Sequence, residues 1–457
     1  MRSETDSFAI LSRALDAAGT DEADAVFMST DQNISRFANS NLHQNMSEIS
    51  AELTLRVFVN GCTGVASTTS FDDDEIARAA ALARDAARHS NPLPGFTGLY
   101  RDAPAAPVLQ TFDAATAHLS AAEKAIMLRT MFDRGRDRGV AFAGSFTTSM
   151  SSVACGNSHG IRRFAETTFA DATVIALGRE HSGYATACSR RIGDVDIAAL
   201  GDEATTRATL RAERVEDLEP GAFDVVLEPP ALAEVFEWLG MIALTGQSFE
   251  DGSSLLVDHL GQRIVGENFT LADDAVDESF LPFPFDLEGY PKQRVAMIEN
   301  GVARTPMVDK VYADRLHFAP NGGLWHLGSS EHGTTFHTSM AGGDSSREEM
   351  IRSTKLGIWV TRFNYVNGLL EPRTALMTGT TRDGTFLIRD GEVAARLPNL
   401  RWTQSMVEAF SNIEALSRER RRVGTWYNAF GGTIAPVAKI RGWHFTGKQT
   451  GGGSAES

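Results

Sequence analysis

The segment from residue 228 to 246 constrains the fold of this chain more than any other. Pro229 and Pro230 suit the first turn of a helix, where a missing backbone N–H costs nothing. The apolar residues that follow recur at helical spacing; they are Leu232, Val235, Phe236, Leu239, Ile242 and Ala243. Because the opposite side of this helix carries few polar residues, the sequence predicts a helix buried between the sheets of a domain.

The pattern around this helix predicts an α+β protein of two domains. The 457 residues exceed what one hydrophobic core usually fills. We predict an N-terminal domain over residues 1–215, in which helices accompany antiparallel strands, and a β-rich C-terminal domain over residues 221–445, with the buried helix near its start. The Gly/Ser-rich tail, residues 446–457, is expected to be disordered.

Periodicity predicts the elements of the N-terminal domain. Apolar residues at helical spacing indicate helices over residues 7–18, 72–89 and about 120–136. Residues that favour strands dominate the stretches up to residue 71 and from 140 to 187. The domain is therefore expected to repeat one theme, a helix followed by antiparallel strands.

Composition excludes several classes of partner. A net charge of −16 opposes binding to phosphate backbones, so no nucleic acid is expected. The basic cluster at residues 418–422 is short, contains an acid and is interpreted as a solvated helical face. No apolar run is long enough to span a bilayer, and the first residues carry acids where a secretory signal carries bases, which predicts a cytoplasmic protein without membrane contact. Cys62, Cys155 and Cys188 lie too far apart to indicate a zinc site or a disulfide framework.

Residues 156–160, Gly-Asn-Ser-His-Gly, match the G-x-S-x-G pattern of a hydrolase nucleophile elbow. That elbow requires a helix directly afterwards, but residues 161–176 are rich in Thr, Phe and Val. An Asn-Ser-x-Gly segment also suits a hairpin turn. We interpret the segment as a hairpin turn rather than as a nucleophile.

Four histidines gather in a Gly/Ser/Thr-rich region: His317, His326, His332 and His337. Imidazoles from such a region would bind a metal if the fold brought them together, with Glu331 or Asp344 as a neighbouring acid. Their spacing contains no His-x-His or His-x3-His pair, and loop histidines more often bond to backbone or water. His326, His332 and His337 are therefore weak metal candidates.

The order of landmarks after residue 228 resembles the TldD/PmbA family of metallopeptidases, in which a helix introduces the second domain. The matching segments are Gly-Ser-Ser at 252–254, Gly-Gln-Arg-Ile at 261–264, Phe-Thr-Leu-Ala-Asp-Asp at 269–274, Phe-Asp-Leu-Glu-Gly-Tyr-Pro at 285–291, Ile-Glu-Asn-Gly-Val at 298–302, Gly-Ile-Trp-Val at 357–360 and Arg-Asp-Gly-Thr-Phe-Leu-Ile at 382–388. The resemblance covers most of residues 220–440 and is looser in the first domain.

The TldD branch of this family carries a His-Glu-x3-His motif on that helix, whose imidazoles bind zinc while the glutamate activates water, and a later cysteine is the third ligand. Here the motif positions fall on residues 237–242, so Glu237, Trp238 and Ile242 stand at the degenerate catalytic positions. The helix contains no histidine, and no cysteine follows Cys188. This pattern resembles the PmbA (TldE) branch, the metal-free subunit that pairs with a zinc-bearing TldD to trim peptides inside a closed chamber.

The resemblance also implies where peptide would bind. Segments near residues 267–274 and 285–291 would line the chamber and hold the peptide backbone by strand addition. The candidate peptide-binding residues in these segments are Asp273, Asp274, Asp286 and Glu288.

The expected partner is a TldD-like zinc peptidase subunit or a second copy of this chain, and the expected substrate is a peptide or an unfolded protein. No cofactor is expected in this chain, because zinc would belong to the TldD-like subunit. Two alternatives stay open. One is an autonomous metal-dependent peptidase with a relocated site among the histidines of residues 317–337, and the other is a non-catalytic binding homodimer.

Overall fold

The computed structural model describes residues 2–20, 22–179, 181–210, 218–325, 327, 333–425 and 430–448. The chain is 25% helix and 43% strand, and its strands form two sheets. This composition confirms the predicted α+β class.

The first sheet has six antiparallel strands, in the order β3-β2-β1-β4-β5-β6. Its strands are β1 Ala23–Ala38, β2 Asn41–Val59, β3 Cys62–Thr68, β4 Ala141–Asn157, β5 Arg162–Leu177 and β6 Ser182–Ser189. The helices of this region are α1 Glu4–Ala18, α2 Asp73–His89, α3 Ala114–Ala117, α4 Ala121–Asp137 and α5 Ile197–Ala208, with a 3₁₀ turn at Ile192–Asp194. The three helices predicted from periodicity are α1, α2 and α4.

Capping residues fix where these helices begin. The side chains of Ser3, Asp72 and Ser120 each accept a hydrogen bond from a backbone N–H of the first helical turn. Ser120 and Glu123 form a complete capping box at the start of α4. The apolar sides of these helices then pack on one face of the first sheet. The other face of that sheet turns toward the second half of the chain, where Val26 and Val153 pack against Phe283 and Phe285.

The second sheet has eleven strands and is built around β17, which pairs with β7, β11, β15 and β16. Its strands are β7 Gly221–Leu227, β8 Leu271–Asp274, β9 Arg294–Glu299, β10 Val302–Ala303, β11 His337–Met340, β12 Leu356–Glu371, β13 Leu376–Arg389, β14 Glu392–Arg396, β15 Leu400–Ser405, β16 Ile413–Gly424 and β17 Gly432–Lys448. The helices are α6 Pro229–Ile242, α7 Gly246–Glu250, α8 Lys310–Leu316, α9 Arg347–Arg352 and α10 Met406–Ser411, with a 3₁₀ turn at Pro372–Thr374.

Helix α6 is the buried helix that the sequence predicts. Leu232, Val235, Phe236 and Leu239 are at most 1% exposed. The Phe236 ring lies 5.8 Å from the ring of Phe410 on α10. Burying one such side chain stabilises a fold by ~1.5–3 kcal/mol. The apolar stripe of α6 therefore anchors the helix against the second sheet and fixes which residues it turns outward.

The basic cluster at residues 418–422 does not form the predicted helical face. It belongs to strand β16, and two of its arginines pair with acids of the first half of the chain. Arg421 donates two hydrogen bonds of 2.7 Å to Glu203 of α5, and Arg422 lies 3.2 Å from Asp194. The helix prediction was wrong because these partners lie far away in the sequence. The cluster joins the two halves of the molecule.

The ends of the predicted domains are only partly described. Residues 446–448 continue β17 rather than starting a disordered tail, and residues 449–457 lie outside the described residues. The domain limits stay a prediction. Among the described helices, none is long and apolar enough to cross a membrane. The cytoplasmic location stays a prediction.

Candidate functional site

A cavity of about 930 Å³ lies between helix α6 and the face of the first sheet that is opposite helices α1, α2, α4 and α5. Alternate residues of the strands face it, since successive side chains of a strand point to opposite sides of the sheet. From β1 and β5 the lining residues are Met28, Thr30, Gln32 and Ile34, and Phe169, Asp171, Thr173 and Ile175. Cavities of this size bind small molecules or short peptide segments.

Helix α6 contributes the opposite wall with Pro230, Ala233, Glu234 and Glu237. Glu234 and Glu237 are the two charged residues of this helix, and their i, i+3 spacing places both on the side that faces the cavity. Burial, reinforced by the negative charge of Glu234, raises the pKa of Glu237 to about 8. Burial also raises the pKa of Glu234, against the opposing effect of the nearby Arg362. Both carboxyl groups therefore take up protons more readily than glutamates in water.

A third carboxyl group, that of Asp171, faces the cavity from β5. Burial raises its pKa to about 7. Its Oδ1 atom lies beside Gly424, where an added Cβ would come within 2.8 Å of this oxygen. A side chain at position 424 would therefore crowd the carboxylate of Asp171. Glycine at this position leaves Oδ1 of Asp171 accessible from the cavity.

Arg362 of β12 is the cationic residue in the cavity wall, and its charge already has a partner. Its Nε donates a hydrogen bond of 2.9 Å to Asp383, which also accepts one of 2.5 Å from the Ser182 hydroxyl. The guanidinium carbon lies 4.4 Å from the centre of the Tyr184 ring. Because Asp383 neutralises Arg362, the cavity carries a net negative charge once its acids are ionised.

Of the three degenerate motif positions, the structure places one in the cavity. Glu237 faces it, whereas Trp238 and Ile242 pack on the other side of α6 against Gly368 of β12. Sequence reasoning missed Glu234. The available signal was two acids, one helical turn apart, in an otherwise apolar helix.

The predicted peptide-binding acids lie elsewhere. Asp273 is fully buried, 2.7 Å from the ammonium group of Lys292, and accepts hydrogen bonds from two backbone N–H groups. Burial alone would raise the pKa of Asp273, but the Lys292 ammonium group and the backbone N–H of His337 hold it below its usual range. Its neighbour Asp274 is half-buried, 3.5 Å from Arg294. The first of these carboxylates is thus part of an internal ion pair rather than of a cavity wall.

The other two predicted acids are also internal. Asp286 is buried and accepts hydrogen bonds of 3.0 and 2.9 Å from the backbone N–H groups of Glu288 and Tyr290. Glu288 lies 2.8 Å from the buried guanidinium of Arg56 on β2. Burial keeps the side chains of Asp286 and Glu288 away from any ligand in this conformation. Strand addition by their backbone stays a prediction.

The histidines of the predicted cluster occupy unlike surroundings. His337 is fully buried on β11, and its Nε2 lies 3.0 Å from the carbonyl oxygen of Phe430. Burial lowers its pKa to about 3, so the ring is neutral. His317 is exposed at the end of α8, and His326, His332 and the neighbouring acid at 331 lie outside the described residues. Within the described ranges, no three His, Cys, Asp or Glu side chains gather as metal ligands would.

The G-x-S-x-G segment forms the hairpin turn between β4 and β5, as predicted. The Ser158 hydroxyl oxygen accepts a hydrogen bond of 3.1 Å from the backbone N–H of Ala23. His159 Nε2 lies 2.8 Å from Glu22. The serine and the histidine therefore bind to the start of β1, and no helix follows them.

The sequence profile of the PmbA/TldA metallopeptidase C-terminal domain matches residues 220–447, and the profile of PmbA/TldA metallopeptidase domain 1 matches residues 23–87. This chain belongs to the PmbA/TldD metallopeptidase family.

Curated relatives align at low identity. A metalloprotease of Methanothermobacter thermautotrophicus is 26% identical over 220 residues, which cover 48% of this chain and 47% of that protein. The metalloprotease PmbA of Escherichia coli O157:H7 is 24% identical over 405 residues, or 85% of each chain. The chain thus spans about half the length of the first curated relatives it matches. The crystal structure of TldE from Thermococcus kodakarensis has the same fold, with a TM-score of 0.85 over 97% of this chain and all of that one, at 18% identity.

Proposed function

We propose that this chain is a zinc-free subunit of the PmbA/TldE kind, which completes a peptide-processing complex together with a zinc-bearing TldD-like peptidase. The observation that carries the proposal is the character of α6. In the TldD branch this helix bears the zinc motif, whereas here it has no histidine and presents Glu234 and Glu237 to the cavity. Relatives of this chain are named metalloproteases, and a structure with the same fold is named TldE.

The cavity supports a peptide as the ligand. Strands of the first sheet form one wall, and apolar and aromatic residues lie among the acids, including Leu287, Trp325 and Phe336. A wall that offers both polar and apolar side chains suits a segment of mixed sequence in extended form. In the proposed complex this chain would hold the peptide, and the TldD-like subunit would cleave it.

The proposal is tested with the isolated chain and a zinc-bearing family member. Zinc is measured by elemental analysis after mild dialysis, and cleavage of an unstructured peptide is followed for each protein alone and for the mixture. We expect far less than one zinc per chain, and cleavage that this chain increases without cleaving alone. The matched control is the mixture in which an unrelated folded protein replaces this chain at the same concentration.

Each other outcome selects an alternative. About one zinc per chain with cleavage by the chain alone would overturn the proposal and direct attention to the histidines of residues 317–337. Peptide binding without any effect on the zinc-bearing protein would favour the non-catalytic homodimer instead.

A further inference from the structure

Buried carboxylates in this fold usually have partners. Arg56 is buried between Asp24 and Glu288, with its Nε 2.9 Å from Asp24 and its NH2 group 2.8 Å from Glu288. Asp273 is paired with Lys292 at 2.7 Å. These pairs follow the general rule that a buried charge is compensated by an opposite charge or by hydrogen bonds.

The three carboxylates of the cavity are only partly buried, and they lack such partners. Within the described residues, Asp171 and Glu237 have neither a hydrogen-bond donor nor a cation in contact. Glu234 likewise has no hydrogen bond or ion pair there, although it feels the charge of Arg362 at longer range. Burial raises the pKa of all three, which is the sign of charges that lack compensation. A fold that satisfies its fully buried acids leaves these three, on a cavity wall, open to a ligand.

The rest of the cavity indicates the kind of ligand. Glu48 adds a fourth acid from β2, and Arg362 is already neutralised by Asp383. Four aromatic residues line the same cavity: Phe169, Trp325, Phe336 and Phe430. Acids together with aromatic faces attract organic cations, which gain both ion pairs and cation–π contacts. The three acids come from two elements on opposite walls and do not gather as ligands of one metal ion would.

We propose that this cavity recognises a cationic group of a peptide, an ammonium or guanidinium ion, which Asp171, Glu234 and Glu237 receive. The aromatic residues pack against the apolar part of the same peptide. The inference rests on the proposed function only in taking the ligand to be a peptide. It makes the cavity a selective site, because peptides with acidic side chains would be repelled by the same acids.

The test measures binding to the isolated chain with unstructured Gly/Ser-rich peptides. One peptide carries lysines, a second carries acetyl-lysine in their place, and a third carries glutamates. Each is prepared with a free and with an acetylated N-terminus, and binding is measured by isothermal titration at about pH 9, where the acids are charged. We expect the lysine peptide to bind at least about tenfold more tightly than its acetyl-lysine counterpart. At about pH 9 the terminal amino group, whose ordinary pKa is about 8, is largely neutral, so the lysine side chain is the cation that this titration tests.

Conservative variants locate the site. Glu234→Gln, Glu237→Gln and Asp171→Asn should each weaken binding of the lysine peptide about tenfold, since each removes one charge-assisted hydrogen bond. Glu392→Gln is the matched control, because Glu392 is exposed on β14, outside the cavity. Thermal unfolding of each variant reports whether it folds, and a variant that fails this check is replaced by Glu→Asp at the same position or, for Asp171, by Asp→Glu.

Equal binding of the lysine, acetyl-lysine and glutamate peptides by the wild-type chain would overturn the inference, as would the lack of any binding. The same holds if the cavity variants bind as tightly as wild type. Because the isolated chain suffices, these results leave the proposed pairing with a TldD-like subunit standing. A failure to stimulate such a subunit, conversely, leaves the cation site standing.

Discussion

Around Arg56 the chain buries two carboxylates beside a guanidinium, whereas along α6 it places two partly buried carboxylates on a cavity wall, without a hydrogen bond or ion pair among the described residues. In the first region the charges hold the first sheet against the loop that contains Glu288. In the second region Glu234 and Glu237 lie partly buried on a cavity wall, where burial raises the pKa of each carboxyl group, so that their ionised forms are disfavoured. The difference separates acids that stabilise the structure from acids that we assign to binding.

The largest change in the free energy of unfolding is expected from Arg56→Ala. This change leaves Asp24 and Glu288 buried without their cation, and breaking a buried ion pair costs about 3–5 kcal/mol. Urea denaturation measures the free energy of unfolding. The control is Arg129→Ala at an exposed position of α4, which should change it by about 0.5 kcal/mol or less. If Arg56→Ala lowers the free energy of unfolding no more than the control does, the ion pairs of Arg56 do not stabilise the fold.

Glu228→Gln should lower the free energy of unfolding less than Arg56→Ala does, by about 2 kcal/mol. Glu228 is buried at the start of α6, where it accepts hydrogen bonds from Arg347 at 3.2 Å and from Trp359 at 3.1 Å. Glutamine keeps an acceptor but loses the charge, and the two guanidinium groups nearby retain other acids: Arg207 retains Glu203, and Arg347 retains Glu348. The same denaturation experiment measures the change, and an effect as large as that of Arg56→Ala would mean that the charge of Glu228 dominates.

Glu237→Gln should stabilise the fold by about 1 kcal/mol at about pH 9. Burial raises the pKa of Glu237 from its ordinary 4.5 to about 8, so the folded state holds this proton more tightly than the unfolded chain. The favourable contribution is fully present below about pH 4.5 and is lost as the pH rises through about 8.

Stability of the wild type and of Glu237→Gln is compared from about pH 5 to 9. Glu48, Asp171, Tyr184, Glu234 and Arg362 also line the cavity. The difference between the two proteins removes the part of their titration that does not depend on Glu237 and keeps the part that is coupled to it, above all that of Glu234. If the difference in the free energy of unfolding between Glu237→Gln and the wild type does not grow as the pH rises, Glu237 does not carry an uncompensated charge in the folded state.

The smallest effect, here on binding of the lysine peptide, is expected from Trp238→Phe. Trp238 lies at a degenerate motif position but packs on the side of α6 away from the cavity. Binding of the lysine peptide should stay within about twofold of wild type, less than 0.5 kcal/mol. A tenfold loss, measured by the same titration, would extend the site around the helix.

The elements that depend on local sequence were predictable. Pro229 and the apolar stripe behind it predicted α6 and its burial, and the Asn-Ser-x-Gly segment predicted the turn between β4 and β5. These signals are local, because capping, periodicity and turn chemistry involve residues close together in the chain.

The sequence did not reveal ion pairs between residues that are far apart in the chain. Arg56 and Glu288 are 232 positions apart, and Arg421 and Glu203 are 218 apart. Without those partners, Glu288 was interpreted as a peptide contact and the basic cluster as a solvated helix. Glu237 was selected through the family resemblance, and Glu234 was missed although it stands one turn away in the same apolar helix.

The central claim is that the cavity acids are kept for a cationic ligand. Isothermal titration of the lysine peptide into the wild-type chain and into the Glu234→Gln/Glu237→Gln double variant, at about pH 9, tests it most directly. We predict binding by the wild type and a loss of about tenfold or more in the double variant, whose unfolding transition is no lower than that of the wild type. Equal affinity in a folded double variant would contradict the account.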